Sequence, residues 1–272
     1  MTDQRPDKEV YSQRDNPAYE VWMATRTAAQ QAAFFLPHLR PGMQLLDVGC
    51  GPGTITVGLA KAVAPGDVVG TDLQPTQVEQ ARAVAAERGI VNVRFEVGDA
   101  YRLPFPDRSF DAVFAHAVLM HLREPVRALA EMWRVLRPGG IVGLRDPDLG
   151  GEIFTPATPL QEERRALGRR VGQHNGRDPL VGRHHRRLLL EAGFVRAEAR
   201  ASVESAGSLE ETLRSAAVLK DRFRGMARTA LIEEWVTQAT VDAMAAELDA
   251  WAERPDAFLA STWCETIGWK GD

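Results

Sequence analysis

Residues 42–146 predict an α/β fold, a mostly parallel sheet covered by helices on both faces. Three observations predict it. Short apolar runs alternate with helix-length segments throughout this span. Glycine and proline mark the junctions, as at Pro65-Gly66 and Pro138-Gly139-Gly140. In residues 125–136 the apolar side chains fall at 126, 129, 130, 133 and 136, the spacing of one helix face. A parallel sheet with helices on both faces accommodates strand–helix alternation.

The elements follow in order. Residues 1–16 read as a flexible arm, and residues 18–36 as one Ala-rich helix ended by Pro37 and Arg40-Pro41-Gly42. Gln44–Val48 reads as strand one and Thr54–Val63 as a helix stopped by Pro65-Gly66. Val68–Asp72 is strand two, and Pro75 opens a helix that Gly89 stops. Val93–Val97 and Asp111–Ala115 are strands three and four. The 125–136 helix leads to Ile141–Leu144 as strand five. After Asp146 the alternation breaks, with a helix near 160–172 between Pro- and Gly-rich stretches. A helix at Gly182–Ala192 and a strand at Phe194–Ala199 resume the pattern. Ser208 with Glu211 forms a capping-box signature before two or three helices that run to about residue 253. Phe258–Ile267 supplies a last strand. The expected organisation is an N-terminal arm and lid helix (1–40), a ligand-binding core (41–147), an insertion or lid (148–181) and a C-terminal completion of the sheet (182–272) with a helical extension at 205–256.

Composition bounds the function. The chain has 272 residues, 44% apolar and 26% charged, enough to bury a core without staples. A net charge of −4 argues against a general nucleic-acid or membrane binder. No apolar run is long enough to span a membrane. Cys50 and Cys264 form no CxxC pair, so neither a zinc site nor a disulfide framework is expected, and a reducing, cytoplasmic setting fits best.

In an open parallel sheet the ligand crevice lies at the carboxyl ends of the strands. The first strand there runs into LLDVGCGPG (45–53), with Asp47 followed by Gly49, Gly51 and Gly53. Glycine lets backbone approach a ligand and adopt positive φ. The spacing is neither G-x-G-x-x-G nor a P-loop. By itself the loop fits a bare strand-to-helix turn as well as a ligand cradle. Asp72 ends strand two, before Leu73, where a carboxylate can accept both hydroxyls of a ribose. Asp99 ends strand three; with the N–H of Ala100 it can bind the amino edge of an adenine, or it caps a helix. Three acids at successive strand ends together describe a nucleoside with a cationic tail and no phosphate requirement.

The stretches LLDVGCGPG (45–53), VVGTDLQPTQVEQAR (68–82), VRFEVGDAYRLPFPDRSFDAVFAHAVLMHL (93–122) and RVLRPGGIVGLRDP (134–147) resemble the class I S-adenosylmethionine-dependent methyltransferases, and among them the ubiquinone/menaquinone-biosynthesis group. The resemblance implies a Rossmann-like, seven-stranded sheet with an antiparallel last strand and a helical substrate cover. It implies S-adenosyl-L-methionine as cofactor, with S-adenosyl-L-homocysteine as product. Gly49, Gly51 and Gly53 would face its methionine part, and Asp47 would support the ammonium group or the loop. Ala115 and His116 would lie beside the sulfonium. Arg26 would pair with the methionine carboxylate, or is an exposed helical arginine.

The implied reaction moves a methyl group to O, N or C of a small organic acceptor by in-line displacement. The alternative is a cofactor-binding protein that no longer catalyses, in a pathway or scaffold role. A general base matters only if the acceptor loses a proton. His116, His121 and Asp146 are the candidates. His116 fits a base or a cofactor contact, His121 a base or a packing histidine, and Asp146 a base, a substrate contact or a turn residue before Pro147. No metal is expected, and the protein is expected as a monomer or homodimer with a small-molecule partner and no nucleic acid. Two basic clusters, Arg164-Arg165…Arg169-Arg170 and Arg183-His184-His185-Arg186-Arg187, fit solvated faces or attraction of an anionic acceptor.

Overall fold

The computed structural model describes residues 17–272, with side chains from Val21 onward. The arm at 1–16, with Tyr11, and the side chain of Tyr19 lie outside the described residues. Seven strands form one sheet: β1 (Leu45–Val48), β2 (Val68–Asp72), β3 (Val93–Val97), β4 (Phe110–His116), β5 (Leu136–Thr155), β6 (Arg196–Ala206) and β7 (Phe258–Trp269). Their order is β3-β2-β1-β4-β5-β7-β6. The first five strands pair in parallel, and β7 runs antiparallel between β5 and β6. The expected seven-stranded α/β fold with an antiparallel last strand is the observed one.

Successive residues of β1 serve opposite faces. Leu46 and Val48 pack with Val113, Leu144, Leu129 and Met132 on one side, and Leu45 packs with Phe35, Leu59, Val63 and Phe114 on the other. Helices therefore cover both faces: α5 (Pro125–Val135) and α7 (Val181–Glu191) on the first, α2 (Ala28–Gln31) and α3 (Thr56–Val63) on the second. Beyond the sheet, α6 (Pro159–His174), α8 (Leu209–Ile232) and α9 (Gln238–Ala252) pack together through Leu167, Val171, Phe223, Ala227 and Met244. The Ser208–Glu211 capping box opens α8 as its sequence predicts.

Three expectations are corrected. The single helix at 18–36 is broken into α1 (Pro17–Ala24), α2 and a 3₁₀ turn at Leu36–His38. Thr27 is extended (φ −133°, ψ 155°), and the Thr25 hydroxyl turns back to the Trp22 carbonyl at 2.8 Å. β-branched threonines with local side-chain hydrogen bonds compete with helix continuation. Strand five does not stop at Leu144; β5 continues to Thr155, pairing with β7 as far as Phe258. Likewise β6 continues past Ala199 to Ala206, drawn out by its antiparallel ladder with β7. The first residues of the expected insertion at 148–181 are thus sheet.

Candidate functional site

The strand order reverses between the parallel neighbours β1 and β4, and a cavity opens at the carboxyl ends of β1, β2, β3 and β4. The register that pairs Val48 with Thr71 and with Ala115 brings those ends level. Met23 and Arg26, just before and after the end of α1, close one side.

The glycine loop divides its work. Gly49, Gly51 and Gly53 all have positive φ (71°, 51° and 75°). A Cβ on Gly49 would meet Val118 Cγ2 at 2.5 Å, whereas one on Gly51 would meet nothing closer than Gln77 Oε1 at 3.7 Å. Gly49 and Gly51 line the cavity. Gly53 does not: a Cβ there would press on Ala81 Cβ at 2.8 Å and Phe95 Cζ at 3.0 Å. Its role is close packing of the loop on α4 (Pro75–Glu87) and β3, which corrects its assignment to the ligand.

Asp72 holds the loop from the neighbouring strand. One of its oxygens accepts from Gly51 N at 3.0 Å and the other from Gln74 N at 2.9 Å. Burial raises its pKa, and these backbone donors partly offset the rise. An ionised carboxylate has about four acceptor sites, so lone pairs remain for a ligand. Asp47 is buried at the cavity floor and accepts from Thr56 Oγ1 at 2.6 Å, near the first turn of α3. Burial, with a smaller contribution from Asp72, pushes its pKa up to about 7. Asp99 is exposed at the rim and caps no helix; its Oδ1 accepts from Tyr101 N at 2.8 Å, closing an Asx turn. Leu73 and Ala100 line the cavity beside these acids.

His116 lies in the cavity, 7% exposed, with its ring 5.2 Å from that of Trp263 and both ring nitrogens without a hydrogen-bond partner. Burial and the charges of Arg26 and Arg145 hold its pKa well below the usual value, so the imidazole is neutral. Arg145 is itself buried, pairing with Glu265 and Glu204 and lying over Trp263 at 4.2 Å. The Arg26 guanidinium stacks on Trp22 at 3.8 Å. His121 lines this cavity and a second one beyond it.

Two further predicted residues, besides Gly53, are not brought to the cavity. Ala115 is fully buried inside β4, one residue short of the opening. Asp146 is also fully buried: it accepts from Met120 N at 3.1 Å and sits 3.1 Å from His185 Nε2. It positions the turn that carries His121, and it is not a base facing a ligand. The second basic cluster is dispersed, with Arg183 on Asp148, Arg187 on Glu191 and His185 on Asp146. Gln77 was not anticipated. Its Oε1 is buried in the cavity wall without a partner. The signal lay in its place in the first turn of α4, directly after strand two.

A doubly covered parallel sheet whose glycine loop and strand-end acids converge on one cavity defines a nucleoside-binding α/β protein. Residues 46–144 match the family described as a methyltransferase domain. The probable methyltransferase ltbC of Aspergillus luteorubrus is 32% identical over 265 residues, 90% of this chain and 92% of that protein. An uncharacterized methyltransferase of Schizosaccharomyces pombe is 36% identical over 178 residues, 63% of this chain and 64% of its own length. The demethylmenaquinone methyltransferase of Deinococcus radiodurans is 39% identical over 130 residues, 47% of this chain and 52% of that protein. The chain thus spans less than two thirds of the last two relatives. Among solved structures, the YcgJ protein of Bacillus subtilis shares the fold, with a TM-score of 0.60 at 19% identity over 90% of this chain and 99% of that one. So does the [4+2]-cyclase SpnF, with a TM-score of 0.57 at 23% identity over 96% and 97%. The fold alone therefore leaves the reaction open. The sequence relatives establish the family. The chain belongs to the class I S-adenosylmethionine-dependent methyltransferases.

The residues present fit that cofactor. Gly51 leaves open space where a side chain would stand, and Gln77 Oε1 and both His116 nitrogens are buried polar atoms awaiting a partner. Among the described residues no helix is long and apolar enough to cross a membrane.

Proposed function

We propose that this chain moves a methyl group from S-adenosylmethionine to O, N or C of a small organic acceptor by in-line displacement. The observation that supports this reading most is a shared wall: His121 lines both the strand-end cavity and the second cavity beside it. In-line displacement needs donor and acceptor on opposite sides of the moving carbon, and alignment contributes much of the rate. S-adenosylmethionine, when bound, supplies a methyl group already activated by its sulfonium. Asp72 would hold the ribose hydroxyls, Asp99 with Ala100 N the adenine edge, and Arg26 the methionine carboxylate. Asp47, with Gly49 and Gly51, would receive the ammonium end. His116, neutral and unpartnered, would take a proton from an acceptor that must lose one. The second cavity would hold the acceptor and exclude water. We place the reaction in a reducing, cytoplasmic compartment, in keeping with the free thiols of Cys50 and Cys264.

Isothermal calorimetry with S-adenosylhomocysteine tests the reading. Binding by wild type and its loss in Asp72→Ala are the expected results; a folded wild type that does not bind would refute it. Methyl-labelled S-adenosylmethionine incubated with fractionated extract then separates enzyme from scaffold. A scaffold binds the cofactor and labels nothing.

A further inference from the structure

The second cavity lies between α6, α8 and the outer part of β5. Its polar lining is cationic. Arg164, Arg169, Arg177 and Arg222 all face it. Arg165 does too, but it is committed to Glu152 at 3.2 Å and Glu162 at 3.1 Å. Glu152, thus engaged, is the one carboxylate among the described residues of the lining. Arg164 is the most informative member. It is only 7% exposed; its Nε donates to Gln161 Oε1 at 2.7 Å, and its buried Nη2 has no partner. A guanidinium N–H held out of water without an acceptor costs free energy that a ligand oxygen would recover. Burial holds the Arg164 pKa below its ordinary value, and the charges of Arg165 and Arg222 act in the same direction against Glu152. Leu219, Phe223 and Met226 give the same cavity an apolar wall. The cationic cluster also reaches the donor side: with burial, the charges of Arg177, Arg222 and Arg26 push His121 down to about 3.

We propose that the methyl acceptor is an organic oxyanion, an apolar body carrying a carboxylate or phosphate head held by Arg164 and Arg222. This rests on the methyl-transfer reading above and names its substrate class. Guanidinium groups match both head groups through paired N–H donors. The apolar body then lies against Phe223 and Met226 and extends past Met120 towards His121, where the second cavity meets the first.

The test uses the full chain saturated with S-adenosylhomocysteine, titrated calorimetrically with benzoate, phenyl phosphate and neutral benzamide. Wild type is expected to prefer at least one anion over benzamide by about tenfold or more, the worth of one charge-assisted hydrogen bond. The tighter of the two anions names the head group. Arg222→Gln, at a half-buried position, and Arg164→Gln should each lose most of that preference while binding S-adenosylhomocysteine. Equal binding of anions and benzamide, or an anion preference that survives both substitutions, overturns the assignment and leaves the methyltransferase reading standing. Failure of wild type to bind S-adenosylhomocysteine overturns both.

Discussion

The two cavities share His121 and are opposite in charge. The first is lined by Asp47, Asp72 and Asp99, short acids at the ends of three adjacent strands. The second is lined by arginines carried mostly on α6 and α8. In the first, backbone does much of the shaping, and the sheet register fixes where each acid stands. In the second, long side chains reach in from helices that are remote in sequence. The contrast separates a part of the site suited to one invariant ligand from a part that can change without disturbing the sheet. An acid-lined pocket suits a ligand with a cationic end, and an arginine-lined pocket an anion.

The largest expected effect falls on the wall between them. Asp146→Ala removes the carboxylate that holds Met120 N and His185 Nε2. Two buried groups left unpaired should cost about 3 kcal/mol, seen as a fall in Tm of about 6–12 °C. Ligand binding in both cavities should weaken together. A variant as stable as wild type but inactive would mean instead that Asp146 acts on the substrate. Asp72→Ala should break the symmetry. It should weaken S-adenosylhomocysteine by roughly 30–100-fold, about 2–3 kcal/mol, as the loop donors and the ligand lose one acceptor. Anion binding in the second cavity should be little changed, as calorimetry of each ligand would report. If both ligands weaken equally, the cavities are not separable.

The first cavity was largely legible in the sequence, and the second was not. Asp72 and Asp99 could be placed because a strand's end is marked by its apolar run, and parallel register brings strand ends together. The place of His116, Gly49 and Gly51 in the cavity wall follows from the same rule. Gly53 and Ala115 were misassigned by one or two residues, since spacing does not say which way a backbone position faces. Asp146 was misplaced because β5 continues to Thr155, and its antiparallel pairing with β7 lies more than a hundred residues away in sequence. Arg164 and Arg169 stood out as charge, but only the packing of α6 on α8 turns them inward beside Arg222. Long-range helix packing of that kind leaves no local signature. The break at Thr27, by contrast, had a local cause in its β-branched, hydrogen-bonding neighbours.

Within the first cavity, Gly51 and Gly53 should separate ligand from scaffold. Gly53→Ala forces a Cβ against Ala81 and Phe95 at positive φ. It should cost about 2 kcal/mol of stability in a thermal or urea melt, with a smaller loss of donor affinity. Gly51→Ala meets no clash, so its cost is only the left-handed backbone penalty of about 1 kcal/mol. Its methyl group stands in the open space beside Gln77, however, so donor affinity should fall more than stability does. The opposite ranking would put the ligand on the Gly53 side of the loop.

The smallest effect is a slope, and it tests the charge contrast most directly. Asp47 titrates at about 7, raised chiefly by burial. Its unfolded counterpart titrates in the ordinary carboxylate range. Its contribution to stability is therefore complete at low pH and is lost as the pH rises to about 7. A cationic ligand group near Asp47 favours the ionised form. Below about pH 7, binding of S-adenosylhomocysteine should then release a proton, and affinity should rise with pH by at most about tenfold per unit before levelling off. Calorimetry between about pH 5.5 and 8, in buffers of differing ionisation enthalpy, counts that proton. Asp47→Asn should flatten the profile. Benzoate binding in the second cavity should stay level over the same range, because its carboxylate and the guanidinium groups remain charged throughout it. A flat donor profile in wild type would mean that the ligand's positive end lies away from Asp47, leaving that acid to brace Thr56 and the start of α3.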